Sequence, residues 1–162
     1  MLLPKIENLI IEENDDNWTF PMDRYYWLGD PGHIWFLIEE KDRIKVGLDE
    51  FGSVQAGPII SLRLFPVGRL VKQGKLFGTL ESGKWIGPLR VPLTGLVTEI
   101  NTKVIEEPTI VNDDCYNEGW IIILKPANLK ELDNPFIAKP DEEGKEKLTK
   151  FIKNEIEKLK VM

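Results

Sequence analysis

The chain has little of what most catalytic and metal-binding chemistry needs. Its 162 residues include one histidine and one cysteine. One cysteine excludes an internal disulfide framework, and the pair together is too small for a protein-made zinc site. A single histidine leaves no convincing Ser/His/Asp or Cys/His set for nucleophilic catalysis. No glycine-rich loop resembles a nucleotide fingerprint, and no repeat of solenoid period is visible. No apolar run approaches the ~20 residues of a membrane span. Positive charge is also short: 21 Lys and Arg stand against 27 Asp and Glu, a net charge of −6. That balance argues against nucleic acid as a partner, because phosphate binding needs a basic surface. The start Met1-Leu2-Leu3-Pro4-Lys5 carries too short an apolar patch for a signal peptide. These absences point to a cytoplasmic protein with no membrane partner and no catalytic constellation.

What is present is ordinary for a globular chain, 42% hydrophobic and 30% charged, and long enough for one domain with its own core. Residues 1–21 read as an acidic N-terminal arm, flexible or loosely docked, because Glu12, Glu13, Asp15 and Asp16 follow Leu9-Ile10-Ile11. Strands are expected at residues 25–27, 34–38, 43–48, 58–64, 76–80, 96–100 and 119–125, separated by turn signals such as Gly29-Asp30-Pro31-Gly32 and Pro66-Val67-Gly68. Short strands with frequent turns argue for an all-β core with short helices rather than βαβ units. Asp49 can cap a short helix through Phe51 that ends near Gly52-Ser53, and residues 127–132 can form another. Residues 119–125 form the most apolar run, so that strand is expected to be central, with Trp35 and Trp120 in the core. After a linker bracketed by Pro135 and Pro140, residues 141–160 read as an amphipathic helix. Its apolar face is Leu148, Phe151, Ile152, Ile156 and Leu159, with acidic residues in its first turn and lysines in its last.

Two stretches stand apart. Glu81-Ser82-Gly83-Lys84-Trp85 offers one lysine at an exposed turn between β segments, with Gly83 placed to permit a sharp reversal. Val91-Pro92-Leu93-Thr94-Gly95 follows it, and there Pro92 and Gly95 fix a tight turn. A lone turn lysine is ordinarily just solvated. His33 reads as a hydrogen-bonded residue at the start of a strand, and Glu118-Gly119 as a turn whose glycine suggests a positive φ.

Four segments, taken in order, resemble the H protein of the glycine cleavage system, a lipoyl carrier. His33-Ile34-Trp35 is similar to that family's His-Glu-Trp, and residues 46–51 (Val-Gly-Leu-Asp-Glu-Phe) to its Val-Gly-Ile-Thr-Asp-Tyr. Glu81-Ser82-Gly83-Lys84, with Pro92 and Gly95 downstream, resembles its Glu-Ser-Val-Lys lipoylation turn and the Ser-Pro-x-Ser-Gly that follows. Residues 111–120 (Val-Asn-Asp-Asp-Cys-Tyr-Asn-Glu-Gly-Trp) resemble Val-Asn-x-x-Pro-Tyr-Gly-Glu-Gly-Trp. The chain departs from the pattern at Gly83, usually valine, at Trp85 and Gly87-Pro88, usually small and polar residues, and at Cys115, usually proline.

The resemblance implies a lipoyl-domain-like flattened sandwich or barrel of two antiparallel sheets, a barrel-sandwich hybrid. The carrier domain would span residues 22–132; residues 133–162, outside the likeness, read as the linker and an amphipathic helix packed on it. The resemblance also implies lipoate attached covalently to Lys84. Glu81, Ser82, Gly83 and Trp85 would surround it, and no catalytic residues are implied. The implied partners are a lipoate ligase or lipoyltransferase, glycine decarboxylase, aminomethyltransferase and dihydrolipoamide dehydrogenase. Glu81 and Ser82 are either read by the ligase or merely surface residues, Glu81 then pairing with a lysine. Trp85 either meets a partner groove or lies against the base of its hairpin. Cys115 is either a small buried hydrophobe or a thiol within reach of the dithiol. That second possibility, with the altered turn, keeps open a carrier for a sulfur-oxidising heterodisulfide-reductase-like system; a separate alternative is an H-like interaction protein without lipoate.

Overall fold

The structure, a computed structural model, describes residues 6–161; the apolar patch at the start of the chain lies outside the described residues. Strands β1 (Leu9–Glu13) and β2 (Asp16–Phe20) form a hairpin. They are followed by β3 (Tyr25–Trp27), β4 (Ile34–Glu40), β5 (Arg43–Leu48) and helix α1 (Glu50–Ala56). Next come β6 (Ile59–Leu64), β7 (Leu70–Val71), β8 (Leu76–Ser82), β9 (Ile86–Arg90) and β10 (Gly95–Ile100). Two short helices, α2 (Thr102–Glu106) and α3 (Ile110–Asp113), lead to β11 (Ile122–Pro126). A 3₁₀ turn (Lys130–Asp133), β12 (Ile137–Ala138) and the long α4 (Glu142–Lys160) complete the chain. Seven strands make one sheet in the order β12-β3-β4-β5-β11-β10-β7, and β6-β8-β9 make another. All pairings are antiparallel. The expected all-β fold of two packed sheets is present, with the β1–β2 hairpin added to it.

One core lies between the two large sheets. Ile34, Phe36, Ile44, Val46 and Leu124 of the seven-stranded sheet meet Leu62, Phe77, Leu80 and Leu89 of the three-stranded one. A second core covers the other face of the seven-stranded sheet. There Tyr26 and Trp35 pack with Phe51 of α1, Leu9, Ile11, Trp18 and Phe20 of the hairpin, and Leu148, Ile152 and Ile156 of α4. Successive strand residues point to opposite faces, so Ile34 and Phe36 enter the first core while Trp35 between them enters the second. Burial on both faces explains why this segment reads as a continuous apolar run.

The hairpin replaces the flexible or loosely docked acidic arm expected from composition. Its period-2 pattern was masked by acidic residues placed on the outer face and at the turn: Leu9 and Ile11 are buried, while Ile10 and Glu12 face out. Asn14 and Asp15 make the reversal with φ of 50° and 69°, the left-handed pair that a two-residue hairpin favours.

Other boundaries also move. Asp49 caps α1 as expected, its Oδ1 accepting from Gly52 N at 2.7 Å, but the helix runs through Gly52-Ser53 to Ala56. Residues 127–132 give only the 3₁₀ turn at Lys130–Asp133. Strand β11 begins at Ile122, because Asn101 takes the backbone just before it: Asn101 Nδ2 donates to Glu118 O at 2.9 Å and to Trp120 O at 2.7 Å. Trp120 is therefore half-buried at the margin of the second core rather than inside it. Gly119 does not have a positive φ; it is tight because a Cβ there would stand 2.8 Å from Asp114 O.

Helix α4 follows the sequence closely, with Asp141 as its N-cap, Oδ1 accepting from Gly144 N at 2.7 Å. Leu148, Ile152 and Ile156 are buried, Phe151 is half-buried and Leu159 is exposed. A helix of this length is marginal alone in water, so packing supplies its order. Ile152→Ala is expected to cost about 2–5 kcal/mol, and Leu159→Ala to stay within about 0.5 kcal/mol. Urea titration checks both, and equal costs would contradict the placement of the helix.

His33 ties α4 to α1. Its ring stacks on Phe51 at 5.3 Å and meets Phe151 at 5.2 Å, and its carbonyl accepts from Asp49 N at 2.7 Å. Nδ1 lies 3.4 Å from Asp49 Oδ2, an ion-pair contact rather than an aligned hydrogen bond. Burial opposes the charged ring, but the Asp49 carboxylate, with Glu155 farther off, outweighs it and raises the pKa above the ordinary value. A raised folded pKa means that the pair's stabilisation is fully present below ~6.5 and is lost as pH rises through the folded value. The stability gap between the native protein and His33→Gln should therefore shrink from about pH 5 to about pH 9. Urea midpoints along that series check it, and a gap that widens with pH would contradict it.

Candidate functional site

Strands β8 and β9 are joined by Gly83, Lys84 and Trp85, the first two enclosed by the backbone pair Ser82 and Trp85. The closing pair exchanges backbone bonds, Ser82 N to Trp85 O at 2.8 Å and Trp85 N to Ser82 O at 3.5 Å. Ser82 is buried beneath the loop. Its Oγ accepts from Lys84 N at 3.3 Å and donates to Trp85 O at 3.4 Å, so one hydroxyl braces the turn from inside. The reversal does not draw on glycine's freedom: neither Gly83 nor Lys84 has a positive φ. A side chain at Gly83 would meet nothing within 4 Å. Gly83 is thus not used for the positive φ that the reversal was expected to draw on.

Lys84 is exposed at the tip. Glu81 is half-buried, and its Oε2 accepts from Ser61 Oγ at 3.4 Å, so its partner is a hydroxyl on β6 rather than a lysine. The indole of Trp85 lies over Gly87, where a Cβ would overlap the ring, yet 45% of the residue remains exposed. It rests on the hairpin but is not core. The structure thus brings Glu81, Ser82, Gly83, Lys84 and Trp85 together on one braced hairpin.

The lysine leans toward the end of α1. A Cβ on Gly57 would stand 3.8 Å from Lys84 Cε and Nζ, an ordinary contact, whereas the backbone there, with φ +74°, favours glycine. Gly57 is one wall of a groove of about 270 Å³, lined also by Ser53, Val54, Pro58, Thr109, Asn112 and Asp113. Asn112 holds it together. Its Nδ2 donates to Gly57 O at 2.9 Å and Ser53 O at 3.2 Å, and its Oδ1 accepts from Ile59 N at 3.0 Å. Ile59 opens β6 and pairs with Ser82 at the foot of the turn. This groove was missed by sequence reasoning. Only Gly57-Pro58 after a helix and the Val111-Asn112 motif hinted at it, and neither says that the two meet.

Cys115 lies away from solvent. It is buried, and its carbonyl accepts from Trp35 Nε1 at 2.9 Å. Burial first, then the nearby charges of Asp49, Glu50 and Asp114, push its thiol up to about 12. A reactive cysteine needs the reverse, exposure and an electropositive setting. Among the described residues, no group of His, Cys, Asp and Glu is placed to hold a metal ion, and no helix is long and apolar enough to cross a membrane.

The family model described as "Glycine cleavage H-protein" matches residues 25–151. The chain belongs to the glycine cleavage H-protein family. Glycine cleavage system H protein 2 of Aquifex aeolicus (strain VF5) is 40% identical over 137 residues, 85% of this chain and 83% of that protein. The probable glycine cleavage system H protein 2 of Saccharolobus solfataricus is 35% identical over 122 residues, 75% of this chain and 82% of that one. The crystal structure of the H protein from Mycobacterium marinum aligns with a TM-score of 0.63 at 28% identity, over 68% of this chain and 88% of that one. H proteins are lipoyl carriers rather than catalysts, and a lipoyl-carrier role in glycine cleavage is this chain's role. The sulfur-transfer and non-lipoylated alternatives gain no support from these relatives.

Because Cys115 is buried and its thiolate is disfavoured, a neutral-pH alkylating reagent should modify it at least ~100-fold more slowly in the folded protein than in urea. Intact mass against time checks this, and comparable rates would contradict the assignment.

Proposed function

We propose that Lys84 carries the lipoyl group as an amide on Nζ. The observation that carries this is the placement of an exposed lysine on a two-residue turn braced by a buried serine. The amine projects from rigid β structure, where a lipoate ligase or lipoyltransferase can reach it. The bound lipoyl group supplies a dithiolane that takes up the aminomethyl group and reducing equivalents. The chain's own residues hold and present it. Ser82 keeps the turn in one conformation. Gly57 lies beside the lysine stem. Val54 and Pro58 give the groove apolar walls, and Thr109, Asn112 and Asp113 add acceptor oxygens suited to a cationic amine. Glu81 and Ser82 are the features closest to the lysine for a ligase to read.

The partners in this reading are the lipoylating enzyme, glycine decarboxylase, aminomethyltransferase and dihydrolipoamide dehydrogenase, in the cytoplasm. The hairpin β1–β2 and helix α4 brace the carrier domain of residues 22–132 from one side. Lys84→Arg keeps the charge and removes the acylable amine. It should abolish lipoylation by a lipoate ligase and all glycine-dependent reduction of the protein, with stability within about 0.5 kcal/mol of the native chain. Intact mass and a melting curve read this. A variant that still gains one lipoyl group would show that the site lies elsewhere.

A further inference from the structure

Trp85 is the neighbour of Lys84, and three observations set it apart from an ordinary surface residue. It is exposed in company: Trp85 is 45%, Ile86 68% and Ile60 60% exposed. All three stand at one end of the three-stranded sheet, because β6 and β9 flank the last residues of β8. Its ring is also held in place, laid across Gly87, which must lack a Cβ to receive it, while Trp85's backbone closes the hairpin with Ser82. Finally, the three side chains are themselves uncharged, and the carboxylate beside them, Glu81, already accepts from Ser61.

We infer that Trp85 is the anchor by which the enzyme loading the arm seats this carrier's turn, entering an apolar rim at the mouth of the channel that receives the arm. The inference rests on Lys84 as the attachment point. Any enzyme that accepts the arm must cover the turn that bears it, so the patch is continuous with the surface the carrier role brings against a partner. Clustered apolar exposure marks contact surfaces. Tryptophan gives a large buried area at interface centres, and an indole already ordered against its own hairpin loses little further freedom on docking. Trp85 therefore acts on the encounter and the seating, not on attachment of lipoate or on the reacting sulfurs. The three exposed apolar side chains call for an apolar rim rather than an acidic or basic one.

The test uses the full-length lipoylated chain and the host's glycine decarboxylase. Trp85→Ala should acquire the same single lipoyl mass and keep its melting behaviour, while KM for the carrier rises about tenfold and kcat stays within about twofold. Gly87→Ala retains the indole but displaces it, and should raise KM in the same direction. The effect of Trp85→Ala should persist at high salt, since screening weakens only exposed charge contacts. A lipoylated Trp85→Ala with native KM overturns the inference while leaving Lys84 as carrier. A native chain that gains no lipoyl mass overturns both.

Discussion

Trp35 lies flat against Gly47 on the neighbouring strand, at a distance that leaves no space for a side chain there: a Cβ would stand 2.5 Å from the ring. A buried indole N–H needs a partner, and the one it finds is Cys115 O, 80 residues away in sequence. Above the same ring, at 4.7 Å, sits the Arg24 guanidinium, which also donates to Tyr116 O at 2.9 Å. Tyr116 then donates its hydroxyl to Thr19 O at 2.7 Å and accepts from Glu50 N at 3.0 Å, while burial drives its pKa well above the ordinary tyrosine range. One aromatic residue on a central strand thus fixes the loop after α3, the start of α1 and the added hairpin in a single arrangement.

The Lys84 turn inherits that order. The loop held by Trp35 is continuous with α3, where Asn112 fastens both Gly57 and Ile59. Gly57 forms the surface over which Lys84 lies, and Ile59 pairs with Ser82 beneath the turn. A removed bond in this chain leaves a buried polar group unpaired, which costs about 1–3 kcal/mol. Hydrogen bonds hold the backbone on both sides of Lys84, and the lysine side chain extends beyond them. That division suits a carrier, since mobility belongs in the arm and precision in its root.

The elements that sequence reasoning placed well are those with local signals. Asp49 and Asp141 are short polar residues just before apolar-periodic segments, and both cap helices. The strands at residues 34–38 and 43–48 follow from pattern alone. The β1–β2 hairpin escaped because acidic composition outweighed the alternation of Leu9, Ile11, Trp18 and Phe20 with exposed residues. Trp120 was drawn into the core by its apolar neighbours, whereas Asn101 holds its backbone in a loop. The lysine turn itself was legible, but the groove beside it was not, because residues near 55 and near 112 meet only through the fold. The braced, buried state of Ser82 was equally invisible, since a serine before a turn reads the same whether its hydroxyl faces water or the loop.

The most direct measurement is peptide mass mapping of the chain purified from its own cells under conditions that supply lipoate. The account predicts one lipoyl amide, on the peptide containing Lys84 and on no other lysine. An unmodified Lys84 in cells whose other lipoyl proteins are fully modified, or a lipoyl group on a different residue, would contradict it.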